Sequence, residues 1–212
     1  MKRKYRFDYS GKDGDGEKGR WSARSKLLMA VLFFLFLALF PKYTPFTPDP
    51  LRDSSFAGRI FSLYFFIASQ TLGIVHEAGH GLCYILPCPK FLMIANGTVF
   101  QLISPLLVAL YYRRRRNRPG YLIGLFFTGF SLYYTSWYIS TSNQGPILPA
   151  SKSFLGVDAY HDFNYILSTL DMLEYYHAIS VVVKFISFAI MYYSVAMMFL
   201  EAFDTKRKGP GE

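Results

Sequence analysis

Long apolar blocks constrain this chain more than any other feature. Phe91 to Tyr112, Tyr121 to Ser140 and Ile179 to Phe203 are each mostly apolar. A helix needs about 20 such residues to cross the roughly 30 Å hydrocarbon core of a bilayer. Leu27 to Phe40 adds an unbroken run of 14 apolar residues, and Ala57 to Leu86 adds a longer, interrupted block. Of the 212 residues 52% are hydrophobic, and they cluster in blocks rather than in the amphipathic periods of soluble helices. The expected architecture is an all-α integral membrane protein. It would be a polytopic bundle of four to five transmembrane helices with a short interfacial helix, and membrane lipids would be its first partners.

The polar segments mark the boundaries. Residues 1–20 are rich in Lys, Gly and Asp and read as a disordered basic tail facing lipid headgroups. Residues 21–205 form a single membrane-embedded domain, and residues 206–212 form a basic C-terminal tail. Leu27–Phe40 lacks a small-x-small cleavage site, so an uncleaved segment is expected rather than a signal peptide. Its 14 residues rise about 21 Å, short of a full span unless Trp21 and Tyr43 anchor its ends. Pro41, Pro45, Pro48 and Pro50 forbid helix before Asp53 or Ser54, either of which can cap the next one. Pro87 and Pro89 end that helix. Arg113 to Arg116 with Arg118 give a topology signal between two blocks. Residues 141–160 read as a linker, and His161 to His177 as a short helix at the interface.

Net charge is +9, carried at the edges of apolar blocks, so contact with anionic lipid explains it and nucleic-acid binding does not. The basic residues balance between the two faces if all five blocks cross. They become lopsided if Leu27–Phe40 only dips into the membrane.

Inside the second block lies His76-Glu77-Ala78-Gly79-His80. Residues four apart share a helix face, so the two imidazoles can aim at one point. That spacing suits Zn2+, and Glu77 suits a general base acting on a water that the metal activates. An ionisable group at the centre of a spanning helix costs about 2.5–3.5 kcal/mol, so three within a turn and a half argue for chemistry. The alternative is a hydrogen-bonded polar cluster that glues helices together. A catalytic zinc site needs a third protein ligand. The candidates are Asp158, His161, Asp162, Asp171, Glu174 and His177, with the proviso that Asp162 could instead cap the helix it begins. The two cysteines, Cys83 and Cys88, are too few for a disulfide scaffold. Cys83 falls near the face of the histidines and reads either as a small buried residue or as a further ligand. Asn96-Gly97-Thr98 matches a glycosylation acceptor only by coincidence beside a membrane helix.

Three stretches together resemble the site-2 protease group of membrane-embedded zinc metalloproteases, in particular a small, mostly bacterial branch without a PDZ domain. They are His76 to His80, then Gly97 through Gln101 to Pro105, then His161-Asp162-Phe163-Asn164-Tyr165-Ile166-Leu167. The resemblance covers roughly residues 60–200. It implies an intramembrane zinc metalloendopeptidase of the bacterial inner membrane, acting on membrane-protein or peptide substrates. It also implies His76 and His80 as zinc ligands and Glu77 as catalytic base. The family's third ligand is an aspartate in a later membrane segment, usually in an Asp-Gly motif that the last spans of this chain lack, so Asp162 is its best substitute and His161 the next. Asn96 is a candidate donor to the reacting oxygen, and Gly97 a candidate point where an extended substrate pairs along its edge. A non-proteolytic metal-binding membrane protein, or an inactive scaffold of the same fold, is the alternative.

Overall fold

The computed structural model of the protein describes residues 21–39, 56–148 and 159–207. These residues are mostly helical, with six α-helices: α1 Ala23–Leu39, α2 Phe56–Ile85, α3 Lys90–Arg114, α4 Arg118–Ser140, α5 Asp162–Thr169 and α6 Tyr176–Arg207. A two-residue ribbon pairs β1 Ile147–Leu148 antiparallel with β2 Ala159–Tyr160. The expected tail over 1–20, the prolines at 41–50, the caps Asp53 and Ser54, and Asp158 lie outside the described residues. So does most of the C-terminal tail, since α6 runs on to Arg207.

Each expected block holds a helix; Pro87 and Pro89 fall between α2 and α3, and the arginine run covers the end of α3, the connection and the start of α4. The middle of the bundle is α4, buried along most of its length from Pro119 to Ile139. It packs against α6 on one side and α3 on the other, with α2 against α3 and α1 against α6. Small residues set these approaches, as they do where lipid offers no hydrophobic drive between helices. A Cβ on Gly124 would stand 2.6 Å from the Ala109 nitrogen, and one on Gly129 2.7 Å from Met191 Cγ. Two serines of α6 add hydrogen bonds across the seam. Ser180 Oγ donates to the Ser136 carbonyl at 2.7 Å and Ser187 Oγ to the Gly129 carbonyl at 2.8 Å.

Helix directions follow from these pairings. α4 runs with α1 and α2, and α3 and α6 run against it. The starts of α1 and α4 therefore meet the end of α6, where Glu201 pairs with Arg118 at 2.9 Å and Lys26 at 3.8 Å. Phe36 of α1 packs edge-on against Phe126 and Phe130, near the middle of α4. Each such ring pair adds about 0.5–1.5 kcal/mol beyond the area it buries.

The all-α expectation holds, but by length and apolarity the count of four to five spans does not. Among the described residues two helices, Lys90–Arg114 and Leu173–Asp204, are long and apolar enough to cross a membrane. α1, with 17 residues, is too short. α4 is long enough but carries Tyr133, Tyr134, Ser136, Trp137 and Tyr138. Its neighbours enclose it, so those side chains meet protein and need not be lipid-soluble. α2 carries the ionisable motif along its inner face.

Candidate metal centre

The α2–α3 hairpin supplies most of the site. Pro87 and Pro89 stop α2, and a disulfide between Cys83 and Cys88 ties its last turn to the connection. This corrects the sequence expectation for the cysteines. Cys83 is a bridge partner rather than a ligand, and a separation of 5 residues is short enough for one bridge to close a tight turn.

His76 and His80 face α3 and α5. Their Nε2 atoms are 3.1 Å apart. Asp162 Oδ2 lies 2.8 Å from His76 Nε2 and 3.2 Å from His80 Nε2. His76 and Asp162 are buried, at 4% and 5% exposure. The site sits about 8–14 Å in from the end of α2, judged at 1.5 Å per residue.

The outer ring nitrogens fix the chemistry of the inner ones. His80 Nδ1 is 2.8 Å from the Met93 carbonyl, which can only accept, so Nδ1 carries the proton. His76 Nδ1 is 3.1 Å from Gln101 Oε1. The orientation of that amide is set on its other side, where Gln101 Nε2 donates to the Ser131 carbonyl at 3.3 Å. Gln101 is itself held through Pro105. A proline has no N–H, so the carbonyl four residues earlier loses its helical partner. Ser131 Oγ donates to that Gln101 carbonyl at 3.0 Å. With Nδ1 carrying the proton, each imidazole in its neutral form would turn an Nε2 lone pair toward the Asp162 carboxylate. Three electron-rich atoms at these separations repel unless a cation, either protons or a metal ion, lies among them.

They also fit a metal. Ligand atoms about 2.0–2.1 Å from a tetrahedral zinc stand roughly 3.3 Å apart, close to the three separations here. His76, His80 and Asp162 are the group of potential ligands that the described residues bring within 4.8 Å of one another. The two Nδ1 contacts are the outer hydrogen bonds that metal-ligating histidines generally make.

Asp162 is the first residue of α5, and its backbone N–H donates to Tyr138 OH at 3.2 Å. Burial alone would raise its carboxyl pKa, but the hydrogen bonds from His76 and His80 outweigh burial and hold it below the ordinary value. His161 is placed differently. It stacks on Tyr138 at 4.4 Å, bonds Thr141 Oγ1 at 3.0 Å and accepts the Asn164 N–H at 3.4 Å. It caps α5, the task that sequence reasoning left open for Asp162. Asp171, Glu174 and His177 are exposed.

Glu77 is half-buried and stands beside the cluster, close enough to interact electrostatically with His80, Tyr134 and Tyr138. Gly97 forms one wall. A Cβ there would lie 2.5 Å from His80 Nε2 and 2.8 Å from His76 Nε2. It lies within α3, so its backbone is engaged in the helix and the expected edge pairing there does not hold. Among the described residues the paired extended segment is the β1–β2 ribbon, which leads directly into His161 and Asp162. Asn96 Nδ2 donates to the Gly79 carbonyl at 2.6 Å and lies 3.6 Å from Cys83 Sγ. Its amide therefore clamps α2 to α3 instead of facing the cluster. Tyr138 escaped sequence reasoning, since nothing separates it there from the chain's other 16 tyrosines (17 Tyr in all).

No protein-family model, curated protein or solved structure matches the chain.

Proposed function

We propose that the chain is an intramembrane zinc metalloendopeptidase of the site-2 protease kind, cutting peptide bonds of membrane-associated proteins. The convergence of His76 Nε2, His80 Nε2 and Asp162 Oδ2, with both Nδ1 atoms held by acceptors, carries this reading. A zinc ion bound there would lower the pKa of a water toward neutrality and polarise a peptide carbonyl. The three side chains would hold it, Gln101 and the Met93 carbonyl fix the imidazoles, and Gly97 leaves room. Glu77, one residue from His76 and outside the ligand set, takes the proton from the attacking water and delivers it to the leaving amine. The experiment is cleavage of a membrane-embedded model substrate by the native chain and by Glu77→Gln. A second reading has its own support. The two histidines stand at hydrogen-bond distance from Asp162, so protonated imidazoles paired with the carboxylate would glue α2 to α5 without any metal.

The membrane arrangement belongs to the same proposal. α2, α3, α4 and α6 cross, and α1 enters from the basic end and stops beside the middle of α4. An even number of crossings then leaves the start of α1 and the end of α6 on one face. Arg24, Lys26, Arg59, the 113–116 run and Arg118 belong to that end. Among the described residues Lys90 is the basic residue at the other end, leaving aside Lys184 within α6. The basic end is therefore cytoplasmic. The Cys83–Cys88 bridge at the opposite end needs an oxidising compartment and points the same way. The metal centre accordingly opens toward the non-cytoplasmic face of a bacterial inner membrane. Single cysteines at exposed Tyr160 and Arg115 check this in a chain whose own cysteines are paired. In spheroplasts an impermeant thiol reagent should label Tyr160→Cys and leave Arg115→Cys unlabelled until lysis. The reverse pattern contradicts the orientation.

A further inference from the structure

The basic end of the bundle, remote from the metal centre, holds a cleft of about 460 Å³ between the α3–α4 connection and α6. Arg113, Arg116 and Arg118 form its mouth, and Leu122, Tyr193 and Met197 line it. The two groups lie at different depths. Leu122 is one turn into α4 from Arg118, and Met197 and Tyr193 are one and two turns into α6 from Glu201.

We propose that this cleft binds an anionic phospholipid, its phosphate held by Arg113 and Arg116 and an acyl chain lying along Leu122, Met197 and Tyr193. Glu201 already pairs with Arg118 and Lys26. Arg113 and Arg116 have no acidic partner among the described residues. Their backbone geometry is informative. The Arg116 N–H donates to the Arg113 carbonyl at 3.1 Å, and the Asn117 N–H to the Tyr112 carbonyl at 3.0 Å. This is the pattern that ends a helix with a left-handed residue, a position that favours glycine. Here Arg116 takes it, at φ 54°. A left-handed conformation in a non-glycine residue is unfavourable, so the turn itself gives no reason for an arginine. A guanidinium held at the mouth of a cleft does. The apolar and aromatic lining at Leu122, Met197 and Tyr193 distinguishes the ligand from a free phosphate ion, which would leave those side chains unused. Tyr193 is 53% exposed on a helix apolar enough to span a membrane, where an acyl chain is its natural neighbour.

The test uses the full chain in zwitterionic detergent, titrated with fluorescent phosphatidylglycerol, with phosphatidylcholine, and with glycerol phosphate as the chain-free competitor. The native protein should prefer phosphatidylglycerol over phosphatidylcholine at least tenfold, and glycerol phosphate should not displace the lipid at matched concentration. Each arginine near a membrane surface contributes roughly a fivefold factor. Arg113→Gln with Arg116→Gly should therefore weaken binding about 30-fold. Arg116→Gly alone serves as the folding control. It gives the turn its favoured residue, so thermal stability should not fall while lipid affinity drops about fivefold. Equal affinity for both lipids, or unchanged affinity in a folded Arg116→Gly chain, overturns the proposal. Displacement by glycerol phosphate at the lipid's own concentration does so too, and would assign the cleft to a phosphate ion.

Discussion

Alanine at position 97 should lower zinc affinity at least a hundredfold while α3 remains helical. The added methyl would stand 2.5 Å from His80 Nε2 and 2.8 Å from His76 Nε2, so the imidazoles must turn away and the metal ligands are lost as a set. Losing one outer hydrogen bond of a metal ligand typically lowers affinity 10- to 100-fold, and displacing two ligands should exceed that. Alanine is the better helix former by about 1 kcal/mol, so a general weakening of α3 cannot account for the loss. Zinc titration and circular dichroism on the same sample separate the two effects. A Gly97→Ala chain that binds zinc as the native chain does would contradict the assigned wall.

Glu77→Gln should keep zinc and lose cleavage by a factor of about 10²–10⁴, the usual contribution of a positioned general base. The change preserves shape and removes only the proton-accepting carboxylate. Glu77 lies outside the converging triad, so the ligand set stays intact. Cleavage within threefold of native would exclude Glu77 as the base. Loss of zinc in this variant would place Glu77 among the ligands instead.

Helical organisation was legible because apolar blocks and proline breaks act locally. The motif was legible for the same reason, since a spacing of four on one helix needs no tertiary information. What the sequence hid depends on contacts between distant elements. Asp162 and His161 are neighbours, and both were candidates for the third ligand, with Asp162 ranked first. Stacking on Tyr138 turns His161 into a cap, and the start of α5 turns Asp162 toward His76. Gln101 and Pro105 stood in one suggestive stretch without a role. Their connection appears only when Ser131, 30 residues on from Gln101, takes the carbonyl that Pro105 leaves without a helical partner. Gly97 was a candidate point for pairing with an extended substrate, but burial against the histidines makes it a helical close-approach point. Asn96 likewise looked like a free donor until α2 came close enough for the Gly79 carbonyl to take its amide. The depth of α1 followed neither from its length nor from its charge. It follows from Phe36 meeting Phe126 and Phe130 on a helix that runs in the same direction.

The most direct measurement is the zinc content of the detergent-purified chain, prepared without chelators beside Asp162→Ala and His161→Ala. About one zinc per chain is expected, lost in Asp162→Ala and retained in His161→Ala, as the positions of these two side chains require. Zinc absent from the native chain would contradict the account and leave His76, His80 and Asp162 as a protonated ion-pair cluster joining α2 to α5.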